Sequence, residues 1–241
     1  MSNHQLLASF INKSDRMINK WIDYFEVYEK TFSAYKNKPI TFLEIGIQNG
    51  GSLQMWREFF GPEAKIIGVD IDPQCKSLEA EGFEIWIGNQ ADPNFWAEFK
   101  VKNPIIDLVL DDGGHTMEQQ IVTFKSIFPI LSNGGTYVCE DTHTSYFPSH
   151  GGGLKHPDSF HEYIKTIMDE MHAWYYAPLA TIHNSYLANH LYSIALYDSI
   201  VVMEKRRKNP PIVLARGFEG DVKNPASMTY IELRHAFGIP D

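Results

Sequence analysis

The chain has 241 residues, 44% of them hydrophobic and 21% charged, enough length and apolar content for one sizeable folded core rather than a disordered chain. Its formal charge of -9 argues against a nucleic-acid partner, because phosphate binding needs a basic face, although local fields still allow an anionic small molecule. Cys75 and Cys139 stand in unrelated contexts without CxxC or zinc spacing, and no stretch reaches the ~18 apolar residues of a membrane span.

The opening MSNHQLLASFINKSD has no basic region followed by an apolar run, so no secretory leader is expected and the chain reads as cytoplasmic. Trp21, Tyr24, Phe25, Tyr28, Phe32 and Tyr35 then recur at spacings of three and four, one face of an amphipathic helix whose rings pack a core or line a cleft. KNKP ends that helix. TFLEIG, KIIGVD, FEIWIG, IIDLVLDD and GGTYVCED read as short buried strands, with NGGSLQMWREFF, DPNFWAEFK and TMEQQIVTFKSIFPIL as helices between them. Such alternation predicts βαβ units, and the uninterrupted apolar character of the strands predicts helices on both faces. FPSHGGGLKHPD is a Gly-, Pro- and His-rich loop, SFHEYIKTIMDEMHAWYY returns to a helical period, and SIALYDSIVVMEKR reads as two strands turning at Asp198-Ser199. The expected fold is α/β: a doubly wound, mostly parallel seven-stranded sheet with an antiparallel C-terminal hairpin. One domain is expected, with a helical segment over 1–39, a core over 40–205 and an extension over 206–241 that wraps the surface or a second subunit.

Chemistry concentrates at strand ends. LEIGIQNGGS supplies Glu44, Gly46, Gly50, Gly51 and Ser52 between a strand and a helix, where glycines let backbone approach a ligand. Asp70, or alternatively Asp72, suits a ribose diol at the end of the next strand, and Gln90 stands at the tip of the third. Together these predict a nucleoside cradle. Asp111-Asp112 and Glu140-Asp141 end strands expected to be neighbours, about 4.8 Å apart. Two acidic pairs meeting there would repel and bind protons unless a cation intervenes. A hard, oxygen-loving ion such as Mg²⁺ satisfies Asp112, Glu140 and Asp141, leaving Asp111 to the cofactor. His115, three residues past Asp112, is then placed to act as general base on an acceptor hydroxyl.

LEIGIQNGGSLQMW, GVDIDP, DDGGH and EDTHTSY, in that order, resemble the class I S-adenosylmethionine-dependent methyltransferases over residues 40 to 205. More narrowly, they are similar to the Mg²⁺-dependent macrolide and rhamnosyl sugar O-methyltransferases and the cephalosporin hydroxylase-like proteins. The resemblance implies S-adenosylmethionine and Mg²⁺ as cofactors, the same three metal ligands and the same base. It also implies a sugar or glycosylated small-molecule acceptor, no nucleic-acid or membrane partner, and a homo-oligomer. A hydroxylase-like enzyme and a non-catalytic adenosyl-binding subunit are the competing readings. His143, His150, His156 and His161 match no zinc spacing and read instead as a polar lid over the acceptor, with Tyr146 beside it.

Overall fold

Five apolar runs, each bounded by Gly, Pro or Asp, form the parallel strands β1 (Thr41–Ile45), β2 (Lys65–Asp70), β3 (Glu84–Ile87), β4 (Ile106–Asp111) and β5 (Leu131–Cys139). The structure, a computed structural model, describes residues 5–12, 16–178 and 185–209; most of the expected C-terminal extension, from 210 onward, lies outside them. β6 (Leu191–Tyr197) and β7 (Ile200–Lys205) form the antiparallel hairpin, and Ser199, at φ 64°, makes its turn. The sheet order is β3-β2-β1-β4-β5-β7-β6, and only β7 runs antiparallel to its neighbours β5 and β6.

Strand order reverses between β1 and β4, so the crossovers leave in opposite directions and open a crevice at the carboxyl ends of the strands. The register aligns those ends. Ile45 pairs with both Val69 and Asp111, and Asp111 with Cys139. Gly46, Asp70, Asp112 and Glu140 therefore emerge side by side along one sheet edge.

Helices cover both faces. Tyr28, Phe32, Phe42, Trp56 and Phe60 pack one side, contributed largely by α2 (Tyr24–Phe32) and α3 (Gly51–Phe60). Trp96, Phe99, Phe124, Tyr137 and Phe160 pack the other, largely from α4 (Pro93–Lys102), α5 (Met117–Ile127) and α6 (Phe160–Met171). Three local differences from the sequence pattern matter. The first residues form a further short helix, α1 (Gln5–Asn12), which no periodic signal announced. The first aromatic helix is regular only over Tyr24–Phe32, so residues 16–21 form an irregular strap ahead of it, and Trp21 is about half exposed. After β2 comes a 3-10 stretch, Pro73–Glu81, whose first turn Asp72 caps by accepting from the Gln74 amide at 2.8 Å. Among the described residues no helix is long and apolar enough to cross a membrane.

Candidate active site

The β1 loop is built for close approach. Gly46 sits at φ +84°, and a Cβ there would lie 2.0 Å from the carbonyl oxygen of Asp112, so only glycine lets the β1 and β4 loops touch. Asp70 secures the loop from the next strand. Its Oδ2 accepts from the amides of Ile47 at 3.0 Å and Gln48 at 2.9 Å, and its Oδ1 from Asp72 at 3.0 Å. A cleft opens above, lined by Gly46, Gln48, Asp70, Ile71, Asn89, Gln90, Asp112 and Gly113. Ile71 is 68% exposed at its rim, an apolar face beside polar groups, as a purine with a ribose would require.

Of the residues assigned to a cofactor from sequence, Gly46, Asp70 and Gln90 line this cleft. Asp72 is exposed outside it, and the rest stand behind it. Glu44 is buried, accepting from Ser52 Oγ at 2.8 Å and Trp56 Nε1 at 3.1 Å. Gly50 begins α3 in the left-handed conformation, and Gly51 packs under the strap. Asp111 accepts from Gln90 Nε2 at 3.0 Å and from the Tyr137 hydroxyl at 2.7 Å, and burial pushes its carboxyl up to about 7. Gln90 also accepts from the Gly114 amide at 2.8 Å, so it ties the third strand's tip to the DDGGH turn.

The DDGGH turn carries the second half of the site. One ligand atom each from Asp112, His115 and Asp141 lie within 4.8 Å of one another. His115 Nε2 is 3.3 Å from Asp141 Oδ2 and 3.8 Å from Asp112 Oδ1. His115 and Asp141 both hold left-handed backbone, at φ 56° and 52°, a conformation that costs a residue with a side chain roughly 1–2 kcal/mol. One hydroxyl pins both: Thr144 Oγ1 is 2.8 Å from the His115 carbonyl and 2.8 Å from that of Asp141. Thr116 immediately caps α5 in a reciprocal box with Gln119, so the imidazole is held against a rigid helix start. Burial lowers the His115 pKa, against the opposing pull of Asp112 and Asp141, and favours the neutral ring.

A cation absent from the sequence reading sits behind these acids. Lys20, its side chain 2% exposed, reaches in from the strap to hydrogen-bond Asp112 Oδ2, Glu140 Oε1 at 3.1 Å and Glu140 Oε2 at 3.2 Å, with Glu44 Oε1 at 3.8 Å. Burial opposes its charge, but Asp112, Glu140 and Glu44 together outweigh that and hold the ammonium protonated. Burial likewise raises Glu140, with Asp112 adding to the rise and Lys20 opposing it. Two phenols from the aromatic face complete the shell: Tyr24 donates to Asp141 Oδ1 at 2.6 Å, and Tyr28 donates to Glu140 Oε1. Periodicity marks Tyr24 and Tyr28 as core residues, and both are buried; their hydroxyls reach the acids from the first two turns of α2. The available signal was a lysine four and eight residues ahead of the two tyrosines, in a chain that buries several acids at adjacent strand ends.

A second cavity, of about 580 Å³, adjoins the acids between the Thr142–Tyr146 turn, α6 and the β6–β7 hairpin. His143, Tyr146, His161, Met168 and Leu196 line it, and Ser145 Oγ, buried there, has no hydrogen-bond partner among the described residues. His143 stacks on Trp21 and bonds Ser199 Oγ at 2.6 Å, whereas His161 packs against Tyr146. Among the described residues, the metal-capable group is Asp112–His115–Asp141, and the loop histidines join no such group. The two carboxylates of this group offer the oxygen donors that a hard divalent ion takes.

No protein-family model matches the chain. Curated sequences do. It is 31% identical over 199 residues, 78% of this chain and 50% of the other, to an 8-demethyl-8-(2-methoxy-α-L-rhamnosyl)-tetracenomycin-C 3'-O-methyltransferase of Streptomyces olivaceus. It is 29% identical to the mycinamicin VI 2''-O-methyltransferase of Micromonospora griseorubida, over 81% of this chain and 52% of that one. Among solved structures, MycE methyltransferase from the mycinamycin biosynthetic pathway, in complex with Mg and S-adenosylhomocysteine, superposes with a TM-score of 0.71. The two share 27% identity across 81% of this chain and 52% of that one. The chain thus spans about half the length of the relatives it matches.

Proposed function

The chain is a relative of sugar O-methyltransferases with the fold of class I S-adenosylmethionine-dependent methyltransferases, and on that premise we propose that it methylates a hydroxyl of a sugar or glycosylated metabolite. S-adenosylmethionine and Mg²⁺ are the cofactors of this reading. The observation that carries it is the convergence of Asp112, His115 and Asp141 beside the glycine-lined cleft. When bound, the sulfonium supplies the electrophilic methyl group and the ion supplies Lewis-acid stabilisation of the acceptor oxygen.

The chain's own residues supply position and proton transfer. Gly46, Asp70, Ile71 and Gln90 would hold the nucleoside, with Asp70 as the ribose acceptor, since it lines the cleft and Asp72 does not. Asp112, Glu140 and Asp141 are the proposed ion ligands; the first and third already face one another, while Glu140 faces Lys20. His115, through the Nε2 that faces the acids, takes the proton from the acceptor hydroxyl. The apolar-walled second cavity would receive the rest of the acceptor, with Ser145 Oγ ready for a hydroxyl. Holding both reactants along these two adjoining cavities replaces a bimolecular encounter with an oriented one.

The test is transfer of a labelled methyl group from S-adenosylmethionine to a panel of glycosylated acceptors. Turnover that vanishes with chelator, returns with Mg²⁺ and is abolished in Asp112→Ala is the expected result. Full activity in chelator would remove the ion from the mechanism.

A further inference from the structure

Lys20 has no part in the chemistry proposed above, yet it is a nearly enclosed cation in the site, its side chain 2% exposed. Its ammonium lies among Asp112, Glu140 and Glu44, and it engages both oxygens of Glu140 and the Oδ2 of Asp112. Asp112 thereby presents only Oδ1 toward His115 and Asp141. Lys20 belongs to no helix or strand. It hangs from the strap, residues 16–21, which is anchored at one end by Arg16 donating to the Asn49 carbonyl at 3.0 Å and pairing with Glu81. Backbone of the same strap lies against the start of α3, where a Cβ on Gly51 would fall 2.5 Å from the Met17 carbonyl oxygen. Trp21 follows and stacks on His143 beside Asp141, ring centroids 4.8 Å apart.

We propose that Lys20 is a built-in counter-ion that competes with the divalent ion for Asp112 and Glu140, so that the ion binds by displacing the strap's ammonium. The proposal rests on the reading that this acid cluster holds such an ion. A doubly charged ion on Asp112 would share one carboxylate with an ammonium, and like charges that close in a low-dielectric pocket repel strongly. An ion approaching Glu140 meets an ammonium that faces both its oxygens, so the repulsion favours release of Lys20. Lys20 thus keeps the acids together before the ion arrives and weakens the ion's hold afterwards.

Calorimetric titration with Mg²⁺ alone, on the wild type, Lys20→Met and Lys20→Arg, tests this without turnover. Expected is at least tenfold tighter Mg²⁺ binding in Lys20→Met, which keeps most of the length but not the charge, and near wild-type affinity in Lys20→Arg. Folded Lys20→Met with unchanged or weaker affinity overturns the proposal. Mg²⁺ uptake by none of the three removes the ion site itself, and this inference with it. Should Lys20→Met not fold, acetylation of wild-type Lys20, followed by mass spectrometry, gives the answer. Protection in chelator and several-fold faster labelling at saturating Mg²⁺ support displacement, whereas equal protection in both overturns it.

Discussion

Asp112 is shared between two kinds of partner: Oδ2 belongs to an ammonium and Oδ1 faces an imidazole and a second carboxylate. That division makes the role of His115 testable at the scale of one residue. As a general base it contributes to the chemical step and little to binding, so His115→Ala is expected to lower kcat by about 10²- to 10⁴-fold. Affinities for S-adenosylhomocysteine and Mg²⁺ should stay within a fewfold of wild type. The same calorimetry that measures those affinities decides between roles: a large loss of Mg²⁺ affinity in His115→Ala would make the imidazole an ion ligand instead. Asp111, the other acid of the pair, is legible only in part. Its neighbour in sequence points into the site, but the alternation of a strand turns Asp111 inward, where Tyr137 and Gln90 satisfy it.

At the scale of elements, the site is a set of loop crossings. The β1 and β4 loops touch at Gly46, the third strand's tip reaches the DDGGH turn through Gln90, and Thr144 ties that turn to the end of β5. Gly46→Ala should disturb both halves at once. The left-handed backbone alone costs roughly 1–2 kcal/mol, and the new methyl group would push against the Asp112 carbonyl. A lower melting temperature together with weaker S-adenosylhomocysteine binding is expected, by differential scanning fluorimetry with and without the nucleoside. Wild-type values in both would mean that the loops are looser than their geometry implies.

Across the whole molecule, each face of the sheet has its own aromatic core, and the core under α2 and α3 also backs the acids. Trp56 joins the two functions: it packs against Tyr28, Phe32, Phe42 and Phe60 while donating to Glu44. Truncating a buried aromatic costs about 3–5 kcal/mol. Trp56→Ala is therefore expected to lower the unfolding free energy by an amount in that range, read as a lower urea midpoint with an unchanged slope. Trp56→Phe should recover most of the packing and leave Glu44 without the indole donor. If Trp56→Ala were neutral, this core would not be bearing on the stability of the fold.

The amino-acid pattern alone determined the βαβ order, the antiparallel hairpin around Ser199, and the acids that stand at strand ends, because strand period, glycine turns and acidic caps are local properties. It also located His115 next to one of those acids, since DDGGH is a single turn. Tertiary structure decided which carboxylates meet: Asp112 and Asp141 come together with His115 because β4 and β5 are neighbours in register, while Glu140 turns to Lys20 and Tyr28. Lys20 itself lies 92 residues from Asp112 and 120 from Glu140 in sequence, in a strap with no periodicity. Only the packing of that strap across the glycine loop brings a positive charge to where the negative ones gather.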